Sequence, residues 1–407
     1  MASILFRNIK QLVGTWPNGA VLAKGPAMKQ LPYAEDAFLL AENGIIKSFG
    51  PDANAPERAD LIIDATSRFV IPCWCDSHTH IVYAAPREAE FVDKIKGLTY
   101  EEIARRGGGI LNSAKRMATA SEEELFDAAW QRLEEMQGYG TGAVEIKSGY
   151  GLSYEGELKM LRVMKRLKEK SKLTIKANFL GAHAYPQEFK ENHRGYLDLL
   201  INKLLPVIAA EGLADFVDVF CDKGFFSADE TNEILEAAAK YNLRPKIHAN
   251  ELGFTGGIET GVKNNALSVD HLEFTGDEQI QHLLNSGTMP TLLPSTAFFL
   301  GLEYAPARKM IDAGLPVALA SDFNPGSSPS GNLPLVLSIS CTKMKMLPEE
   351  AVTAATLNSA YAMGVEGTLG SITVGKKANL ILTKPMPSLA YLPYSFGSNL
   401  VEKTFIQ

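Results

Sequence analysis

The residues Asp76-Ser77-His78-Thr79-His80 directly follow an apolar, strand-like run from Arg68 to Trp74. Residues two apart on an extended chain point to the same side, so the imidazoles of His78 and His80 converge. Two neutral imidazoles suit zinc or ferrous iron, but a catalytic site requires at least one more ligand from elsewhere. Alone, the pair indicates either a metal site or two polar residues at a strand end.

The other histidines favour the metal site. His183, His248 and His271 each follow an apolar strand-like run, which puts five of the seven histidines at predicted carboxyl ends of strands. His193 and His282 lie in polar helical stretches typical of a surface. In a barrel of parallel strands these ends open onto one face, where active sites of that fold are built.

A further ligand candidate follows the last strand-like run. The segment from Ala318 to Ser327 delivers Asp322 and then continues as a loop rich in Gly, Pro and Ser. A strand-end Asp is also common as a helix cap or turn residue. Beside the converging histidines, the metal-binding role of Asp322 is favoured.

Between about residues 70 and 345, short apolar runs alternate with longer amphipathic stretches, which is typical of β/α units with a parallel sheet. Eight runs are strand-like: Arg68 to Trp74, Gly142 to Ile146, Leu173 to Leu180, Phe216 to Phe220, Pro245 to His248, Leu267 to Asp270, Thr288 to Leu293 and Pro316 to Ala320. Helix starts are predicted from three capping boxes: Ser121 with Glu124, Ser227 with Glu230, and Thr275 with Glu278. The pattern fits a closed (β/α)8 barrel, or an open doubly wound sheet.

The two ends of the chain read differently from this core. Short strand-like runs broken by Gly and Pro predict that residues 1–66 and 362–407 pair into one small β domain, with the barrel over residues 67–361. Its strands are expected at Ile4 to Phe6, Ala37 to Leu40, Leu61 to Asp64 and Asn379 to Thr383.

Composition narrows the ligands and the compartment. The 407 residues are 46% hydrophobic and 21% charged, and their net charge of -7 argues against nucleic acid or an anionic membrane. A small-molecule substrate is therefore expected. Four scattered cysteines, with Cys73 and Cys75 interpreted as packing residues and not thiolate ligands, favour a reducing cytoplasm. The first residues do not resemble a signal peptide, and no stretch reaches membrane-spanning length.

The chain resembles the amidohydrolase superfamily and, within it, the imidazolonepropionase family, over nearly its whole length. The superfamily pattern is His-Thr-His after the first barrel strand, one His on the fifth, one on the sixth and Asp on the eighth. Likeness to the narrower family rests on six motifs: Asp76 to His80, Gly107 to Ile110, Glu145 to Leu152, Leu180 to His183, His248 to Glu251 and Ser321 to Gly326. The chain departs from the pattern at Asn379, where an Asp is common, and at Pro72 to Cys75, where Pro-Gly-aromatic-aliphatic is usual. Both departures lie outside the metal ligands.

The resemblance implies a single divalent metal, zinc or iron, without a carboxylated lysine. It would be held by His78, His80, His248 and Asp322. The implied reaction is hydrolytic opening of the ring of 4-imidazolone-5-propanoate to N-formimidoyl-L-glutamate, in the third step of histidine degradation. A homodimer is also implied.

The catalytic candidates are Glu251 for ring binding and proton transfer, His271 for stabilising the oxyanion, and Asp322 for accepting the proton of water. His271 could instead be structural, and His183 is expected to donate to the substrate. Arg87 suits the carboxylate tail, although it could equally be a surface residue paired with Glu88 or Glu90. The remaining contacts implied by the family are Tyr150, His183, Glu251, Asn324, Gly326 and Ser327.

Three questions stay open at this level. The run Gly107 to Gly109 is either a loop that closes over the site or a simple turn. A deaminase acting on a heterocyclic amine would use the same nucleophile, but its nucleobase has no carboxylate for Arg87 and Tyr150. A non-catalytic relative that keeps the fold would be expected to lose metal ligands, and here all four are present.

Overall fold

The computed structural model describes residues 3–98, 102 and 108–407. In chain order the strands are β1 (Ser3–Val13), β2 (Tyr33–Glu42), β3 (Ile45–Pro51), β4 (Leu61–Asp64), β5 (Phe69–Pro72), β6 (Trp74–Thr79), β7 (Thr141–Lys147), β8 (Thr174–Ala182), β9 (Phe216–Cys221), β10 (Arg244–Ala249), β11 (Ser268–His271), β12 (Met289–Leu292), β13 (Ala318–Leu319), β14 (Leu380–Thr383) and β15 (Val401–Phe405). They form two sheets, one of eight strands and one of seven.

The eight-stranded sheet is parallel and runs in chain order from β6 to β13. Its two edges meet beyond the short last strand: the Asp322 amide donates to the His78 carbonyl at 3.0 Å, and the His80 amide donates to the Phe323 carbonyl at 2.8 Å. These bonds join the first and last strands into a barrel, so the prediction of a (β/α)8 barrel is confirmed and the open sheet is discarded. They also place Asp322 beside the His-x-His pair.

Helices connect the barrel strands, as the alternating pattern predicts. The α-helices of the described residues are Glu88–Ile95, Ile110–Thr119, Glu122–Gly138, Tyr154–Lys170, His193–Asp198, Leu205–Glu211, Ala228–Ala239, Gly257–Lys263, Asp277–Leu284, Pro294–Leu300, Ala307–Asp312, Leu333–Met344, Pro348–Thr353, Ser359–Ala362 and Tyr391–Tyr394. Among them, none is long and apolar enough to cross a membrane.

Two of the three predicted capping boxes are confirmed. Ser121 and Ser227 each accept from the backbone amide three residues later, and the glutamate there accepts from the serine amide in return. The third prediction, Thr275 with Glu278, is wrong. The Thr275 hydroxyl donates instead to the Leu272 carbonyl at 2.8 Å, and the helix begins one residue later, at Asp277.

The seven-stranded sheet, or terminal sheet, combines strands from both ends of the chain. Its order is β15-β14-β5-β1-β2-β3, with β4 paired to the other end of β1. The division of the chain at residues 66 and 362 stays a prediction. β5, which begins after residue 66, also belongs to this seven-stranded sheet. Asn379 is buried here and ties the sheet together, since its carbonyl accepts from the Cys73 amide and its side chain accepts from the Gln407 amide, both at 3.0 Å.

The single strand predicted from Arg68 to Trp74 is wrong. The run contains a crossing between the two sheets: Cys73 bonds to Asn379 in the terminal sheet, whereas the Trp74 amide donates to the Gly140 carbonyl beside the barrel at 3.0 Å. β5 therefore ends at Pro72 and β6 begins at Trp74. The apolar run hides this boundary because β5 and the first residues of β6 are both buried.

Candidate metal centre and active site

The predicted ligands meet at the carboxyl end of the barrel. His78 lies in β6 and His80 directly follows it, His248 lies in β10, and Asp322 follows β13. All four are at most 3% exposed. Because parallel strands of a barrel end at one rim, side chains distant in sequence are brought into one site.

The donor atoms are spaced for one cation. The Nε2 atom of His80 lies 3.3 Å from that of His78 and 3.4 Å from that of His248. Oδ1 of Asp322 lies 3.5 Å from Nε2 of both His78 and His80. Tetrahedral bonds of zinc to N and O would place ligand atoms about 3.3–3.6 Å apart. The measured spacings therefore fit a single divalent cation.

Hydrogen bonds prepare two of the imidazoles for this role. Nδ1 of His78 donates to Oδ2 of Asp270 at 2.6 Å, and Nδ1 of His248 donates to Oδ1 of Asp218 at 3.0 Å. A carboxylate only accepts, so the ring proton sits on Nδ1 and Nε2 keeps its lone pair for a metal. Burial, the largest cause, together with neighbouring positive charges holds the pKa of His78 and His80 well below the ordinary value.

A buried ionic network lies beneath these histidines. Nζ of Lys147 donates to Oδ2 of Asp218 at 2.7 Å and to Oε1 of Glu145 at 2.6 Å, and lies 3.5 Å from Oδ2 of Asp270. Nζ of Lys246 donates to the other oxygen of Glu145. All these side chains are fully buried, so each carboxylate requires its cation. The network fixes the carboxylates that orient the histidines.

The predicted acid/base residues line the same centre. Nε2 of His271 lies 3.6 Å from Oε2 of Glu251, and its Nδ1 lies 3.9 Å from Oε2 of Glu273. Burial and then the charge of Asp322 raise the pKa of Glu251 to about 8, while burial and then Glu251 raise that of Glu273. Burial holds the pKa of His271 well below its ordinary value. The pair therefore offers a protonated carboxyl beside a neutral imidazole.

Several of these residues have strained backbones. The φ angles of His271, Leu272 and Asp322 are 83°, 70° and 51°, in the left-handed region that residues with side chains rarely adopt. Such outliers persist only when the surrounding structure imposes them, and they concentrate at functional sites. The backbone strain therefore indicates a functional site without reference to which residue types lie there.

One cavity of about 480 Å³ opens above this centre. It is lined by ten of the other predicted residues together with His80: Arg87, Tyr150, His183, His248, Glu251, His271, Asp322, Asn324, Gly326 and Ser327. The remaining ligand, His78, lies at the bottom of the site and is fully buried. The structure therefore brings every predicted site residue together. Apolar side chains, among them Phe220, Phe225 and Leu300, complete the wall.

His183 faces the cavity as a hydrogen-bond acceptor, which corrects the expectation of a donor. Its Nδ1 donates to the Gly149 carbonyl at 3.0 Å, and burial lowers its pKa to about 3. A neutral ring with its proton on Nδ1 has a bare Nε2. His183 can therefore accept a hydrogen bond from a ring N–H of the substrate.

Arg87 is paired with Glu90, and it also lines the cavity, so the ion pair does not exclude a contact with the substrate. Its Nε and Nη2 donate to Oε2 of Glu90 at 2.9 and 2.8 Å, and the side chain, 9% exposed, still lines the cavity. Oε1 of Glu90 accepts from the Gly109 amide at 3.0 Å. Gly109 precedes the helix Ile110–Thr119 with a φ of 80°, whereas Gly107 lies outside the described residues.

The side chain of Asn324 shapes its own loop instead of offering free donors. Its Oδ1 accepts from the amides of Gly326 and Ser327, each at 2.8 Å, and its Nδ2 donates to the Asp322 carbonyl at 2.7 Å. Both backbone amides that the sequence suggested for the substrate are thereby engaged within the loop.

Glu157 was missed by sequence reasoning, although it holds the loop that carries Tyr150. Its carboxylate is fully buried and accepts from the amides of Gly151, Leu152 and Gly149 at 2.8, 2.9 and 3.2 Å. No motif marks it, because it lies on the helix Tyr154–Lys170. The Tyr150 hydroxyl is thus positioned by a carboxylate that does not line the cavity.

Glu157→Gln is expected to destabilise the fold by about 1–3 kcal/mol and to raise KM, because an amide –NH2 would face backbone donors. Urea unfolding and steady-state kinetics measure the two effects. Glu155→Gln, at an exposed position on the same helix, is the matched control. Equal free energies of unfolding for the two variants would contradict the structural role of Glu157.

The chain is similar to known proteins over most of its length. A family model described as "Amidohydrolase family" matches residues 84–388. An imidazolonepropionase of Flavobacterium johnsoniae is 57% identical, over 99% of this chain and 98% of its own length, and one of Flavobacterium psychrophilum is 55% identical over the same shares. A zinc-bound adenosine deaminase structure from Xanthomonas campestris aligns over 100% of this chain and 92% of its own, with a TM-score of 0.73 at 16% identity, which is a likeness of fold.

The barrel, the terminal sheet and the cluster of three histidines and one aspartate define the class of the amidohydrolases. Within that class, identity over nearly full length settles the narrower group. The chain belongs to the imidazolonepropionase family.

Proposed function

We propose that this chain opens the ring of 4-imidazolone-5-propanoate by hydrolysis and forms N-formimidoyl-L-glutamate, as the name of its relatives indicates. The observation that carries the proposal is the set of side chains that one cavity brings together. At its base lie three imidazoles and a carboxylate whose donor atoms are spaced for a cation, and its wall includes the guanidinium of Arg87. A planar ring with a carboxylate tail matches this arrangement.

The cation is proposed to be one zinc or iron ion per subunit, held by His78, His80, His248 and Asp322. Nitrogen ligands with one carboxylate suit both metals. When bound, the ion supplies a Lewis acid that makes water nucleophilic near neutral pH.

The protein's own groups handle the protons. The carboxylate of Asp322, at the base of the cavity, accepts a proton from the attacking water. The hydroxyl adds to the ring carbonyl carbon, and the C–N bond breaks. The carboxyl of Glu251 gives its proton to the leaving ring nitrogen, and Nε2–H of the neutral His271 donates to the carbonyl oxygen as negative charge develops.

The substrate is oriented by the side walls. Arg87 binds the propionate, and Nε2 of His183 accepts a hydrogen bond from a ring N–H. The Tyr150 hydroxyl donates a hydrogen bond to the substrate beside them. Burial raises the pKa of Tyr150, which keeps its hydroxyl protonated. Asn324 shapes the loop on which Gly326 and Ser327 complete the wall.

The test is the loss of ultraviolet absorbance of freshly generated imidazolone propionate, with metal content measured on the same sample. Arg87→Ala is expected to raise KM about 10- to 100-fold, because it removes a charge-assisted hydrogen bond from the tail. Arg68→Ala, in the terminal sheet, is the control and should leave KM unchanged. A metal-loaded protein that leaves this substrate intact would overturn the proposal.

A deaminase acting on a heterocyclic amine is the second candidate, and its reaction would release ammonia. It is less well supported, because a nucleobase has no carboxylate to occupy the cationic part of the cavity. Ammonia release without ring opening would favour it.

We further propose a cytoplasmic homodimer. The four cysteines are free thiols, which suits a reducing compartment. Sedimentation or light scattering would measure the assembly.

A further inference from the structure

The charge of Arg87 is already balanced within the protein. Oε2 of Glu90 accepts from both Nε and Nη2 of the guanidinium, at 2.9 and 2.8 Å. Oε1 of the same carboxylate accepts from the Gly109 amide and, at 3.3 Å, from Nδ2 of Asn112. Glu90 is 7% exposed, so this ion pair is largely shielded from solvent. Arg87 therefore contributes directed hydrogen bonds but little net charge to the cavity.

Lys94 is a second cation of the same wall. It lies in the last turn of the helix Glu88–Ile95, which Arg87 directly precedes, and both side chains line the cavity. Its Nζ lies 3.5 Å from the Gly326 carbonyl oxygen. Within the part of the chain that the structure describes, Lys94 forms no ion pair with a carboxylate, whereas Arg87 does.

Arg87 also approaches the loop that Lys94 faces. A Cβ atom added to Gly326 would lie 2.4 Å from Nη1 of Arg87, so the guanidinium would have to shift to make room for it. The amides of Gly326 and Ser327 are engaged by Asn324, and the Gly326 carbonyl is an acceptor that an anion would avoid. Between loop and helix, the side chains of Arg87 and Lys94 are the donors left for an anion.

We propose that Lys94 determines specificity for a carboxylate-tailed substrate, by supplying the positive charge that Arg87 has lost to Glu90. The inference rests on the proposed function and names a further residue for the same site. Arg87 directs the carboxylate with its planar fork, and Lys94 attracts it as a point charge. A neutral tail of the same shape would gain nothing from Lys94.

The test compares Lys94→Met with Lys96→Met, which removes the same charge from an exposed position just beyond the same helix. With imidazolone propionate, Lys94→Met is expected to raise KM about tenfold and to leave kcat nearly unchanged, since a half-buried charge pair contributes modestly. The propionamide analogue should show no change. Lys94→Arg should restore most of the affinity.

A double-variant cycle tests the charge argument itself. Glu90→Gln leaves Arg87 uncompensated, so the KM penalty of Lys94→Met should shrink in that background. Equal KM values for Lys94→Met and Lys96→Met, or an equal penalty with the propionamide, would overturn the assignment of Lys94. Absence of turnover by the unmodified, metal-loaded protein would instead contradict the proposed function, so the two failures are distinguishable.

Discussion

His248→Ala is expected to abolish retention of the metal and to lower kcat/KM by well over 100-fold. Loss of an outer partner of a metal ligand alone typically costs 10- to 100-fold in affinity or activity, and here a ligand itself is removed. Nε2 of His248 lies 3.4 Å from that of His80, and its ring is held by Asp218. Without this ring, the buried carboxylate of Asp218 also loses one of its hydrogen-bond partners.

The measurement is metal per chain after dialysis, with hydrolysis followed on the same samples. His193→Ala is the matched control, because this histidine is exposed and does not line the cavity. Its metal content and activity should equal those of the unmodified protein. Full metal content in His248→Ala would sink the assignment of the four ligands, whatever its activity.

The cluster of candidate metal ligands was predictable because its signal is local and repeated. His78 and His80 are two apart on an extended chain, and His248 and His271 also come at strand ends. The rule that parallel strands end at one rim then brings them together without any knowledge of distances. The structure adds the closure of the barrel, which sets Asp322 against His78 through a backbone hydrogen bond.

The supporting charges were not predicted, although their pattern is visible afterwards. Glu145 and Lys147 are two apart on β7, so both point into the barrel, and Asp218 and Lys246 stand at similar inward positions on β9 and β10. A charged residue inside an apolar parallel strand is a usable signal. Which carboxylate meets which lysine depends on strand register, which sequence alone does not specify.

Other details depend on single contacts. The acceptor role of His183 follows from the Gly149 carbonyl, and the engaged side chain of Asn324 follows from the tight turn of its loop. The switch of sheets between Cys73 and Trp74 likewise depends on partners more than 60 residues away along the chain, at Asn379 and Gly140. Residue type and spacing carry no information on such partners.

Glu251→Gln is expected to lower kcat about 100- to 10,000-fold with the metal retained, which is the range for loss of a general acid or base. Its carboxyl lies 3.6 Å from His271 and its backbone is fixed by Asp222, which accepts from the Glu251 amide at 2.8 Å. Glutamine keeps the size of the side chain but cannot transfer a proton. KM should therefore change far less than kcat.

The pH dependence gives a second readout of the same role. Burial raises the pKa of Glu251 to about 8, so the acid form exists at neutral pH and is lost as the pH rises through that value. The activity of the unmodified protein should fall on that alkaline limb, and the limb should be missing in Glu251→Gln. Glu278→Gln, at an exposed position, should keep both rate and limb. A full rate for Glu251→Gln, or an unchanged alkaline limb at a reduced rate, would assign the proton transfer to another group. The buried carboxyl of Glu273, which lies beside His271, would be the next candidate.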